Sequence, residues 1–282
     1  MSKEILRPVF AGMGLLASLA LVGCGGSGQS RPGGTGGTTG NGGSSSTGGS
    51  TGTGGATGAG GMTALGTLNC NPGLNPTSAT ITTFTSGTDW SIASGKWGVL
   101  GGLMGSIYSY SGPSSGSWHA GVDTTNSLLD IGVLAGTSTG PGNVAAGDYA
   151  GGGMMFNECV DTSNYTGISF TLGGSNATCD VYFQFKTFDE QASSQGGGCD
   201  AGCYSFPQEK IVTGSQNISD VTNPIIVHFS DVTGGGKPDG APISMQLVGL
   251  QWQLQSSTPV ADAGQTGCTG AELTIGNVMF VQ

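Results

Sequence analysis

Positive charge is what this chain most lacks. Seven Lys and Arg stand against 17 Asp and Glu in 282 residues, a formal charge of −10. Without a Lys/Arg cluster nothing can displace the counterions of a phosphate backbone, so nucleic acid is not expected as a partner. Charged residues of either sign make up 9% of the chain, and no window carries an apolar stripe at helical spacing, which argues against a helical, charge-laced protein. Histidine is nearly absent. Only His119 and His228 could give nitrogen to a zinc ion, and the Cys199-x3-Cys203 pair lacks the usual ligand spacing. Long apolar runs are missing too, except over residues 8–22, and that run is short of the roughly 20 residues a spanning helix needs.

Glycine and cysteine are what the chain does have. The 57 Gly and 11 Pro, 57 + 11 = 68, are just under a quarter of it, yet they follow no third-residue period, so collagen is excluded. Residues 25–61 are 37 residues of mostly Gly, Ser and Thr, 18 of them Gly, with Arg31 the one charge. Such a segment buries no core and is expected to be a disordered tether with an r.m.s. span of about 30–37 Å. Residues 62–282 follow without another linker of that length, a size that suits one all-β domain. Their four Lys and 16 Asp and Glu give 4 − 16 = −12.

The N-terminus has the plan of an export signal. Lys3 and Arg7 precede the uncharged run, which ends in Leu21-Val22-Gly23-Cys24. These four residues resemble the lipobox of bacterial lipoproteins, which implies cleavage after residue 23 and lipid on the Cys24 thiol. On that resemblance residues 1–23 are a signal peptide, 24–61 the lipidated Cys and its linker, and 62–282 the domain. The membrane is then a partner through the lipid, and Gly25 in place of Asp resembles the pattern of lipoproteins sent on to the outer membrane. Cysteine parity agrees. Seven less Cys24 leaves Cys70, Cys159, Cys179, Cys199, Cys203 and Cys268, enough for three disulfides in an oxidising compartment, in any of 15 pairings. Cys199 with Cys203, flanking Asp-Ala-Gly in a glycine-rich loop, is the one pair that spacing favours.

Short apolar or alternating runs, each ended by Gly, Pro, Asn or Ser, predict strands at 79–85, 105–110, 153–157, 166–172, 180–188, 224–229, 246–254 and 271–281. Eight or more strands without a repeat of blade length predict an all-β fold, a two-sheet antiparallel β-sandwich of jelly-roll type. The clearest alternation puts Val248, Leu250, Trp252 and Leu254 on one face and Gln251, Gln253 and Gln255 on the other. Tyr182, Gln184 and Lys186 likewise oppose Val181, Phe183 and Phe185, and His228 opposes Val227 and Phe229. Tyr182, Gln184, Lys186, His228, Gln251 and Gln253 are therefore candidates for one polar sheet face that binds glycan, with Trp118 as a stacking wall. The competing reading is an ordinary solvated outer face, which every amphipathic strand has.

Taken in order, Gly151–Asn157, Tyr165–Phe170, Val181–Phe188, Gly197–Tyr204, His228–Val232 and Leu273–Phe280 resemble the galactose-binding-like jelly rolls of family 11 carbohydrate-binding modules. That resemblance implies a non-catalytic module whose partner is a polysaccharide or cell-wall glycan. It also implies a structural calcium, but the places of the usual acidic ligands read Thr83-Phe84-Thr85-Ser86 and Gly276-Asn277, so no cofactor is expected. Two G-x-S-x-G matches, Gly112–Gly116 and Gly136–Gly140, lack the strand-to-helix context of a nucleophile elbow. Asp189-Glu190 are chain neighbours at a strand end and point apart, so no paired carboxylate for glycoside hydrolysis stands out. A structural or adhesive surface lipoprotein is the alternative, with a polysaccharide-active enzyme third.

Overall fold

The computed structural model describes residues 68–70, 73–85, 90–91, 96–97, 105–135, 138–236, 242–257 and 267–282. The leader, Cys24, the Gly/Ser/Thr segment, the side chains of Trp90 and Trp97, and Gly136-Thr137 of the second G-x-S-x-G match lie outside the described residues. Among the described residues fifteen strands run in chain order: β1 (Thr80–Thr82), β2 (Trp90–Ser91), β3 (Lys96–Trp97), β4 (Gly105–Ser111), β5 (His119–Asp123), β6 (Leu128–Ala135), β7 (Ser138–Gly140), β8 (Gly142–Val144), β9 (Tyr149–Val160), β10 (Gly167–Ser175), β11 (Asp180–Thr187), β12 (Gln208–Val212), β13 (Ile225–His228), β14 (Leu247–Gln255) and β15 (Cys268–Val281). Among the described residues the remaining regular structure is three short 3₁₀ turns, at Ser193–Gln195, Ile218–Asp220 and Ile243–Met245.

The strands form two antiparallel sheets packed as a sandwich, as the alternation predicts. One sheet has the order β12-β11-β14-β9-β4-β3-β2. The other runs β13-β10-β15-β6-β5, with β1 and β8 also paired to β15 and β7 to β6. Between them lies an aromatic centre. Phe170 of β10 stands 5.0 Å from Phe183 of β11 and meets Trp252 of β14 edge-on at 5.3 Å. Phe183, Phe185, Trp252, Phe156 and Met154 from the first sheet and Ile131, Ile168, Phe170 and Ile275 from the second are fully buried. Each such side chain is worth about 1.5–3 kcal/mol of transfer out of water.

Seven of the strands escape the sequence reading, among them β6. Its Leu128-Leu129-Asp130-Ile131 shows no clean alternation, because its outer face also carries apolar groups. Val248 departs from its predicted row. The β14–β9 ladder shifts register between Leu247 and Gly249, so Leu247 takes the core position while Val248 joins a satellite cluster with Leu68 and Cys159.

Three disulfides brace the sandwich. Cys179–Cys268 joins the head of β11 to the head of β15 and so ties the two sheets together. Cys70–Cys159 fastens the N-terminal segment to the end of β9. Cys199–Cys203 closes the loop after β11, the pair that spacing favours. Three bonds of this kind belong to an oxidising, exported setting.

Candidate functional site

The seven-stranded sheet turns its second face away from the sandwich core, and register brings side chains from five strands into rows there. One row reads Tyr110 (β4), Gly151 (β9), Gln253 (β14), Tyr182 (β11) and Lys210 (β12). The next reads Tyr108, Gly153, Gln251, Gln184 and Gln208. A third runs Ser106, Met155, Gly249 and Lys186. At about 4.8 Å per strand the first two rows, which cross five strands, are roughly 19 Å long, and the third, which crosses four, is about 14 Å.

The glycines in these rows let the tyrosines lie down. A Cβ on Gly153 would stand 2.8 Å from the Tyr108 hydroxyl and 2.3 Å from the Leu250 carbonyl oxygen; one on Gly151 would stand 2.6 Å from the Tyr110 hydroxyl. With no side chain on β9 in the way, both rings reach across that strand to β14. Tyr108 donates from its hydroxyl to Gln251 Oε1 at 2.5 Å, and Tyr110 donates to Gln253 Oε1 at 3.2 Å. Gln251 Nε2 donates to Gln184 Oε1, and Gln184 Nε2 to Gln208 Oε1 at 2.8 Å. The second row is thus a chain of hydrogen bonds from β4 to β12, each donated in the same direction. Tyr108, Tyr110 and Tyr149 form a strip beside it, their ring centroids 6.2 and 6.0 Å apart. Tyr149 is 41% exposed.

Burial sets the electrostatics of the face. It pushes the Tyr108 and Tyr110 phenols well above their ordinary range, so both stay neutral. It takes the Lys186 ammonium down to about 7. Lys210, at the outer edge, is held up by its 2.7 Å ion pair with Asp180.

Of the residues predicted from sequence, Tyr182, Gln184, Lys186, Gln251 and Gln253 come together on this face. Two others do not. His228 lies on β13, an edge strand of the other sheet, with Nδ1 3.3 Å from Thr166 Oγ1. Alternation tells which side of a strand a residue takes, not which sheet the strand joins. Trp118 is 2% exposed between the sheets, its indole N–H donating to the Ser115 carbonyl at 3.2 Å, so it is core rather than a stacking wall. Its large apolar ring gains more from burial than a loop position suggests. Sequence reasoning also missed Tyr108, Tyr110, Tyr149 and Gln208. The signal was available for two of them, since Tyr108 and Tyr110 alternate with Ile107 and Ser109 in a predicted strand.

The first G-x-S-x-G match is a turn, not an elbow. Asp148 accepts from the Ser114 amide at 2.9 Å and from the Ser115 hydroxyl at 2.7 Å, which fixes the loop before β5. Among the described residues no three His, Cys, Asp or Glu side chains are grouped to hold a metal ion. No family model matches the chain, and no curated protein matches it. Among solved structures, the chain is similar to one described as the solution structure, dynamics and binding studies of CtCBM11, at 13% identity and a TM-score of 0.35, over 68% of this chain and 98% of that one.

Proposed function

We propose that the chain is a membrane-anchored envelope lipoprotein whose sandwich is a non-catalytic glycan-binding module, the glycan lying across the rows of the seven-stranded sheet. The observation that carries this reading is the tyrosine–glutamine network over its glycine floor. Its amides and phenols are fixed before any ligand arrives, so little side-chain entropy remains to be lost on binding. The strip from Tyr108 to Tyr149 offers flat apolar area beside polar groups, the combination that a sugar ring asks for. Rows of this length suit an oligosaccharide better than a single sugar.

The test is an array of soil and cell-wall polysaccharides probed with the Cys24→Ser chain expressed without its leader. Retention of any class supports the reading, and a folded sample that retains none refutes it. Anchoring is tested separately. With the leader in place, Cys24→Ser should leave the protein in the soluble fraction after a high-salt wash, because an acidic domain and a Gly/Ser/Thr tether offer a bilayer neither apolar area nor basic charge. Continued sedimentation with membranes would end the lipoprotein assignment.

A further inference from the structure

We propose that this face selects acidic glycans, the Lys186 ammonium taking the anionic substituent of a bound sugar, a uronate carboxylate or a sulfate ester. The inference rests on the glycan-binding reading of the face and adds the charge of the ligand to it.

Lys186 is 4% exposed. Its stem crosses Gly249, where a Cβ would stand 3.3 Å from Cδ, and its Nζ ends 4.4 Å from the Tyr108 ring centroid and 4.8 Å from that of Phe206. Ring faces attract a cation but accept none of its three N–H donors in the way an oxygen does. Among the described residues the single ion pair is Lys210 with Asp180, and Lys186 Nζ has no hydrogen-bond acceptor. Nor is Nζ one of the sealed orphans; those are Thr187 Oγ1, Gln191 Oε1 and Trp252 Nε1. Among the described residues, therefore, the Lys186 head at the end of the third row has no counterion. An anion arriving from outside completes it.

Two further observations point the same way. The domain carries −12, yet no carboxylate occupies any of the three rows, and Asp180 in the adjoining row is engaged by Lys210. The hydrogen bonds also run so that the amide oxygens of Gln251, Gln184, Gln208 and Gln253 each accept within the face. Between them these amides keep six unused N–H donors against four spare oxygen lone pairs. The surface is thus rich in donors around a cation, the complement of an oxygen-rich anion.

Proton linkage provides a signature that a neutral sugar lacks. An anion holds the proton on Lys186, so affinity should fall as pH rises above the free lysine's value of about 7. The titratable groups on the surrounding elements do not confuse this. Tyr108 stays neutral, and Asp189 and Glu190 after β11 and Glu209 on β12 make no ion pair with Lys186.

The experiment is a titration of the Cys24→Ser chain, and of the same chain with Lys186→Met, against matched pairs from an array. The pairs are uronate polymers with their methyl esters and sulfated polymers with their desulfated forms, at pH 6 to 9. The expected result is at least about tenfold tighter binding of the anionic member at pH 6, weakening about tenfold per pH unit above 7, with both effects gone in Lys186→Met. The uronate and sulfate arms identify the substituent. Equal binding of charged and neutral partners, or an unchanged preference in Lys186→Met, overturns the inference and leaves the glycan-binding reading in place. Binding to no member overturns both. The pH series on the unsubstituted lysine chain stands even where the variant misfolds.

Discussion

The two outer faces of the sandwich both carry polar residues and behave differently. On the seven-stranded sheet, tyrosines and glutamines from five strands are linked side chain to side chain. On the other sheet, Asp130 of β6 faces Thr274 of β15 and Gly121 of β5, and neither Asp130 nor Thr274 hydrogen-bonds another described side chain. The Asp130 carboxyl is pushed up to about 6 by its own burial, helped by Asp123 and Glu272. Reach explains the contrast. Glycine at two successive outward positions of central β9, 151 and 153, lets long side chains meet across a strand, whereas the short Asp130 and Thr274 on β6 and β15 stand apart. A linked face holds one geometry, while an unlinked one only titrates.

The hardest blow to that contrast is a side chain on the glycine floor. Gly153→Val should cost about 4 kcal/mol or unfold the domain, because its Cβ meets backbone at 2.3 Å as well as the Tyr108 hydroxyl. On the other sheet, Gly173→Ala meets only Thr274 Oγ1, at 2.6 Å, which a rotamer change clears, so its cost should stay under about 1 kcal/mol. Urea unfolding of both variants checks the pair, and equal losses would show that the floor is not special.

The two buried charges sharpen the comparison with opposite signs. Lys186 titrates at about 7 when folded and near 10.5 when unfolded. Between those values the unfolded chain holds the extra proton, so stability should rise from pH 7 to 9.5 by about 3 kcal/mol, and Lys186→Met should flatten that slope. Asp130 titrates at about 6 when folded against 3.8. There the native state holds the extra proton, so stability falls as pH climbs from 3.8 to 6. Asp130→Asn should therefore raise unfolding free energy by about 1–2 kcal/mol at pH 7 and leave it unchanged at pH 3.5. Denaturant titrations across pH test both, and a slope of the wrong sign in either refutes its assignment. The smallest effect on stability is Tyr182→Ala. Half-buried outside the core, it should change stability by less than about 1 kcal/mol while weakening glycan binding by about 1 kcal/mol or more. A large stability loss with intact binding would return Tyr182 to a purely structural role.

The fold was legible because its strands are. Period-two alternation in 180–188 and 246–254 carries the sandwich, and it also carries half of the site, since β11 and β14 turn out to be neighbours. The other half was hidden by glycine. The predicted strand begins at Gly153 and leaves Gly151 out, and nothing local says that the emptiness of these glycines is filled by Tyr110 and Tyr108 from the next strand. His228 and Trp118 went astray for a related reason: which sheet a strand joins, and what a loop folds under, are decided by pairings far along the chain.

The Cys70–Cys159 bond has a mechanical consequence. Tension on the N-terminal segment enters the domain at Leu68 and Cys70 and crosses the disulfide to Cys159 at the end of β9. The 89-residue separation between the two cysteines, which includes β1 to β8, is a covalently closed loop that such a pull cannot extend. Under the proposed function, a ligand tugging on the rows would draw on β9 and its partners β4 and β14, so anchor and cargo would meet on one strand. That strand, paired on both sides, would be loaded along its length, in shear, and its hydrogen bonds would have to give way together rather than unzip one after another.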